Sequence, residues 1–279
     1  MLRVKCVFIF LLLLAAGARA EKVAVIEISQ NDITPKFAAP FRDSLAKKLK
    51  LIDDDIARSA FDSFKLATPT NLTTAQARSA AQAIGCDLLI LIDAAATRRV
   101  SSKRPEYYEA FAAVFAISAR SGRLIKFSLP SAEEDSPAAA EKKLLGMASE
   151  TAAEIAENFK TIAAAERDEK SPPAIEELPE AATQTRTFQP PMPYRRVRPE
   201  YTTDAFLHAV TATLEITVDV DDAGNISRTE ITRWAGYGLD ESVEKTVRSM
   251  NWRSAYRNGK PLAMRVLLRY NFRKAEPTP

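Results

Sequence analysis

Between Leu214 and Phe272 the spacing of apolar positions changes several times. Leu214, Ile216, Val218 and Val220 alternate with Glu215, Thr217 and Asp219, the period of a strand with one apolar face. Asp221-Asp222-Ala223-Gly224 supplies residues that tolerate a tight reversal, and a second extended run follows from Ile226 to Trp234. Gly236 and Gly238 interrupt it. Asp240 then reads as the N-cap of a helix that carries Val243, Val247 and Met250 on one face. Asn258-Gly259 is a hairpin signal. The last strand alternates Leu262, Met264, Val266, Leu268, Tyr270 and Phe272 against Arg265, Arg269, Asn271 and Arg273. The expected order is strand, strand, helix, strand.

The first half of the chain has a different rhythm. Lys22 to Ile28 is a β-branched run. A helix from about Pro35 places Phe37, Phe41, Leu45 and Leu49 on one face at steps of four, with Pro40 expected to kink it or delay its start. Leu51-Ile52-Asp53 reads as a strand end and Asp54 to Phe64 as a second helix. Thr73 or Thr74 caps a third helix to Ile84, with Gly85 suited to its C-terminus. Leu88-Leu89-Ile90-Leu91-Ile92 is apolar at every position, so this strand is expected at the centre of a sheet with helices on both sides. Tyr107 to Ile117 and Arg123 to Leu129 form a hairpin around Ser121-Gly122, and Pro137 to Ala165 a long Ala-rich helix. This order gives an α/β layered domain with a mixed sheet over residues 21–165.

Residues 166–198 contain Pro172, Pro173, Pro179, Pro190, Pro191 and Pro193 and few apolar side chains. Such composition favours an extended, polyproline-type spacer, at about 3.1 Å per residue. The reading is therefore two-domain, α+β with α/β, the second domain covering 199–279.

Charge modifies this picture at one end. The net charge of +3 comes from Arg3, Lys5 and Arg19; without them the 39 cations fall to the number of acids, 36. A balanced chain has no general electrostatic grip on nucleic acid or anionic lipid, and nucleic acid is not expected as a partner. Arg3 and Lys5, the apolar run Val7 to Ala16, and Ala18-Arg19-Ala20 have the layout of an export signal cleaved before Glu21, the alternative being an uncleaved anchor. Cys6 would leave with the signal, so Cys86 would be the remaining thiol.

No catalytic constellation is visible, and no cofactor, metal or small-molecule substrate is expected. His208, the one histidine, lies on a short amphipathic segment and reads as packing rather than as a general base. Cys86, just before the buried strand, reads as structural. Asp53-Asp54-Asp55 lacks the Gly and spacing of a calcium loop and reads as a helix start. Asn71-Leu72-Thr73 and Asn225-Ile226-Ser227 match glycosylation sequons.

Two resemblances add to the residue-level reading. Leu239-Asp240-Glu241-Ser242-Val243, Val247 to Trp252 and Asn258-Gly259-Lys260-Pro261, with Pro199-Glu200-Tyr201 upstream, resemble the C-terminal domain of the TonB family of periplasmic energy transducers. Thr202 and Arg253-Ser254-Ala255 depart from its pattern. Val23 to Ile26, Ala83 to Ile90 and Ala119 to Ile125 resemble the N-terminal α/β domain of TolB and related envelope-assembly proteins. The first resemblance implies strand addition: an edge strand whose free N–H and C=O groups accept an extended segment of an outer-membrane or other envelope protein. Val266 and Tyr270 would lie in that edge. Arg265, Arg269 and Arg273 would form a basic stripe, either for an acidic partner or for edge protection. Tyr201 and Arg198 at the entry motif are secondary candidates. A homodimer would compete for the same edge. The compartment implied is periplasmic, and the alternative role is a soluble scaffold or assembly factor.

Overall fold

The structure, a computed structural model, describes residues 21–169, 174–179 and 183–274. The export signal with Cys6 lies outside them. The first sheet is built from β1 (Lys22–Glu27), β2 (Lys50–Leu51), β3 (Leu88–Arg99), β4 (Tyr107–Ser118), β5 (Leu124–Ser128) and β6 (Ser131–Glu134), in the order β2-β1-β3-β4-β5, with β6 also on β4. β1 runs parallel to β2 and β3, and β3 antiparallel to β4. Leu88 to Ile92 are wholly buried, as a strand apolar on both faces requires. One face carries α1 (Ile33–Ala46) and α4 (Pro137–Asp168), which bury Phe37, Phe41, Leu45, Leu144 and Ile155 against it. Pro40 sits inside α1. It removes one backbone donor, and the buried row Phe37–Phe41–Leu45 carries the helix past it. Leu49 lies beyond the helix end yet is buried. The other face carries α2 (Asp54–Asp62) and α3 (Thr74–Ile84). Thr73 and Gln76 close a capping box on α3, and Gly85 ends it with φ of 78°.

The second sheet has the order β11-β10-β15-β7: β7 (Glu176–Glu177), β10 (Ala212–Val220), β11 (Ile226–Arg233) and β15 (Met264–Phe272). The α6 helix (Leu239–Ser249) packs on β10 and β11 through Leu239, Val243 and Val247. Asp240 is not its N-cap. Gly238 holds that position, with φ of 74°, and Asp240 lies in the first turn. Its carboxylate reaches back to accept the N–H of Gly236 at 2.5 Å and of Ala235 at 3.2 Å. The side chain therefore ties down the loop before the helix. Asn258 and Gly259, both at positive φ, turn β13 (Ala255–Arg257) into β14 (Lys260–Leu262).

Short described pieces of the spacer expected over residues 166–198 pair with neighbouring strands. α4 runs to Asp168. β7 adds in parallel to Met264 and Arg265 of β15. β8 (Phe188–Gln189) pairs β13, and β9 (Met192–Pro193) pairs β12 (Trp252–Arg253). Proline composition describes a chain in solvent; sheet edges offer that chain unpaired backbone groups to bond.

The two halves also share a hydrophobic cluster. Trp234, after β11, packs at a tilt on Phe115 of β4, ring centroids 5.5 Å apart, and its indole N–H reaches the Gly122 carbonyl at 3.3 Å. Tyr237 packs on Phe127 at 4.7 Å. Asn71 is buried between the halves. Its amide donates to the carbonyls of Trp234 (2.7 Å) and Thr213 (2.9 Å), and its carbonyl accepts the Thr213 N–H (3.0 Å). Gly236, at φ of 72°, leaves room for the Phe127 ring: a Cβ there would stand 2.7 Å from it.

Candidate functional site

β15 pairs along its whole length with β10, from Ala212 opposite Phe272 to Val220 opposite Met264. Its even-numbered side chains, Met264, Val266 and Phe272, are buried. The odd-numbered ones face outward, and here the basic stripe resolves into cross-strand pairs. Arg265 stands opposite Asp219 and holds it at two points, Nε–Oδ1 2.5 Å and NH2–Oδ2 2.8 Å. Hydrogen bonding to Asp219 raises the Arg265 pKa. Arg269 stands opposite Glu215 and donates to it at 3.0 Å. Asn271 bonds Thr213 at 2.8 Å. The Arg265 charge is therefore matched inside the sheet, with Glu177 of β7 at 3.5 Å as well. Arg273 is exposed past the end of the strand.

The backbone gives the edge a different set of residues from the one expected. Leu178 N–H donates to the Arg265 carbonyl at 2.8 Å, so the odd positions point their backbone groups away from β10. By the alternation of an antiparallel ladder, Val266 and Tyr270 turn theirs toward β10, and Leu267, Arg269 and Asn271 turn theirs toward the outer edge. Val266 and Tyr270 thus belong to the core side, not to the edge. Leu267, 39% exposed, and Asn271 were missed, because period-two patterning gives the face of a strand but not the side on which its neighbour lies. Described pairing on the outer edge ends at Arg265.

Tyr201 is a brace. It stacks on Phe272 at 6.2 Å, and its hydroxyl donates to the Val210 carbonyl at 2.7 Å, with the Ala205 carbonyl 3.0 Å away. Burial raises its pKa. Arg198 is exposed. The structure brings Tyr201 against β15 through Phe272.

The remaining titratable candidates are held by local contacts. Asp53 caps α2 by accepting the N–H of Asp55 and Ile56, and Asp54 pairs with Arg42 at 3.1 Å. Cys86 is buried, its thiol pushed up to about 12 by burial. The His208 ring is edge-on to Phe111 at 4.3 Å, with Nε2 3.4 Å from Glu109 and Nδ1 2.8 Å from the Asp204 carbonyl. Glu109 also binds Arg99, which reaches the Leu207 carbonyl at 2.8 Å. This cluster fastens α5 (Thr203–Leu207) to the first sheet. Among the described residues no helix is long and apolar enough to cross a membrane.

No curated protein matches the chain. It is similar to solved structures at low identity. One is the hypothetical protein CT253 from Chlamydia trachomatis: 14% identity, 50% of this chain and 99% of that one, TM-score 0.34. A second is lipoprotein GNA1162 from Neisseria meningitidis: 13%, 48% and 99%, TM-score 0.32. A third is the TonB C-terminal domain of Pseudomonas aeruginosa: 14%, 37% and 98%, TM-score 0.28. Residues 197–273, which hold Tyr201, the β10–β11–α6 unit and β15, match the model of the family described as Gram-negative bacterial TonB protein C-terminal.

Proposed function

We propose that this is an exported cell-envelope protein whose C-terminal half docks on outer-membrane or other envelope proteins by strand addition to β15. The observation that carries the reading is the asymmetry of that strand: nine residues paired to β10 on one side and, among the described residues, a two-residue β7 at its start on the other. Main-chain bonds at such an edge would supply affinity and neighbouring side chains selectivity. The family match over residues 197–273 supports the compartment. The role is binding rather than catalysis, and the N-terminal α/β layer, resembling that of TolB, would be a second binding module. A photoreactive residue in place of Leu267 tests the reading in intact cells. The expected product is an adduct with an outer-membrane protein, lost when Asn271 is replaced by proline. Slow amide exchange at Leu267 and Asn271 in the isolated monomer, matching that at Val266, would overturn it.

The shared cluster around Trp234 and Phe115 favours a second reading. A C-terminal half packed on the first sheet suits a periplasmic scaffold or assembly factor without energy transduction. A dimer seam at the same edge would give a Leu267 adduct to a second copy of the chain instead.

A further inference from the structure

At one end of the first sheet lies a cleft of about 1050 Å³. It is bounded by the end of α1, β2, the β4–β5 turn and the last turns of α4. Six cations line it: Lys47, Lys48, Lys50, Arg120, Lys160 and Arg167. Lys48 is paired with Glu157 at 2.7 Å and Arg167 with Glu21 at 3.5 Å. Lys47, Lys50, Arg120 and Lys160 are exposed and make no ion pair with any described residue. The acids of the cleft do not balance them. Glu166 is buried and held by Ser118, Ser121 and Arg123. Asp87 accepts the backbone N–H of Lys22 at 2.8 Å. The floor is apolar, with Leu49 and Phe159 both buried. A concave surface with six cations against three acids, over a low-dielectric floor, focuses its excess positive potential outward. Balanced total charge conceals this, because it averages over the whole surface.

Glu21, the first described residue, lines the same cleft. We propose that the cleft binds anionic phospholipid headgroups at a bilayer surface and so fixes which end of the N-terminal sheet faces the membrane. This does not depend on strand docking at β15, which uses the opposite half of the chain.

The test is partition of the exported chain, residues 21–279, onto phosphatidylcholine vesicles with and without phosphatidylglycerol, at low salt. The wild type is expected to favour the anionic vesicles. Each single change, Lys47→Gln, Lys50→Gln, Arg120→Gln or Lys160→Gln, is expected to weaken that binding about fivefold, the effect of one cation near such a surface. The quadruple variant is expected to lose more than about a hundredfold, with an unchanged unfolding transition, since none of the four forms an ion pair with a described residue. Equal partition of the wild type onto both vesicles, or undiminished binding by the quadruple variant, would overturn the proposal. Saturable binding of inorganic phosphate without preference for anionic vesicles would overturn it too, by showing a site for a small free anion.

Discussion

Asp219 on β10 and Arg265 on β15 face each other across the outer face of the second sheet and are joined at two points. Asp219 is 3% exposed, so the arginine is its compensation. Removing the carboxylate charge leaves a half-buried guanidinium without its main acceptor. Asp219→Asn is therefore expected to cost about 2 to 3 kcal/mol, the worth of hydrogen bonds to charged groups. Urea unfolding of the purified variant measures it, with Arg273→Gln, exposed beyond the strand, as a control within about 0.5 kcal/mol of wild type.

Asn71 and Asn225 present the same sequon pattern in opposite settings. Asn71→Ala strips the side-chain partner from three buried or part-buried backbone groups on the far half of the chain. At about 1 kcal/mol or more for each orphaned group, the loss is expected to reach about 3 kcal/mol. Asn225→Ala touches only an exposed turn held to Asp221 and is expected to cost less than about 1 kcal/mol. Thermal unfolding of the two variants side by side would show the contrast, and equal losses would contradict the clamp.

His208 is the chain's one histidine, so its proton resonance can be followed without assignment. Burial pushes its pKa down, but the Glu109 carboxylate and the Asp204 carbonyl outweigh that and the Arg99 charge, and the net shift is upward. A raised folded pKa means that this contact stabilises the protein fully below the ordinary histidine range and that its contribution is lost as pH rises through the folded value. Glu109→Gln removes the carboxylate and leaves the burial. Its NMR titration midpoint is expected below that of wild type, and the decline in stability across that pH window is expected to flatten.

Asp240 gives a second pH signature with the same sign. Burial raises its carboxyl to about 7 despite the N–H groups of Gly236 and Ala235. The folded state thus holds a proton that the unfolded state releases near the ordinary aspartate range. Stability is expected to fall as pH rises through about 4 to 7, and to level off above. Asp240→Asn keeps an oxygen to accept those N–H groups and removes the titration. The variant is expected to lose this slope and to exceed wild type in stability at pH 8, read from denaturation midpoints across pH.

Local chemistry made much of the fold legible. The all-apolar Leu88–Ile92 run marked the central strand, the Thr73 and Gly85 ends marked α3, and Asn258-Gly259 marked the β13–β14 turn. Asp240 misled because an acidic residue one place inside a helix looks the same in sequence as one that caps it; positive φ at Gly238 moved the boundary. The arginine stripe was legible as a stripe. Its partners were not, since Asp219 and Glu215 lie 46 and 54 residues away in sequence and meet it only through the register of β10.

The sequence by itself determined which stretches become strands and helices and which face of each is apolar, because those depend on neighbours within a few residues. Tertiary structure alone decided that described parts of the proline-rich stretch pair with β12, β13 and β15, that Trp234 and Asn71 join the two halves, and that six cations from separate elements ring one cleft. The reason is physical: pairing of distant edges, burial of a shared surface and focusing of charge depend on which elements meet in space, and periodicity along a chain carries no record of that.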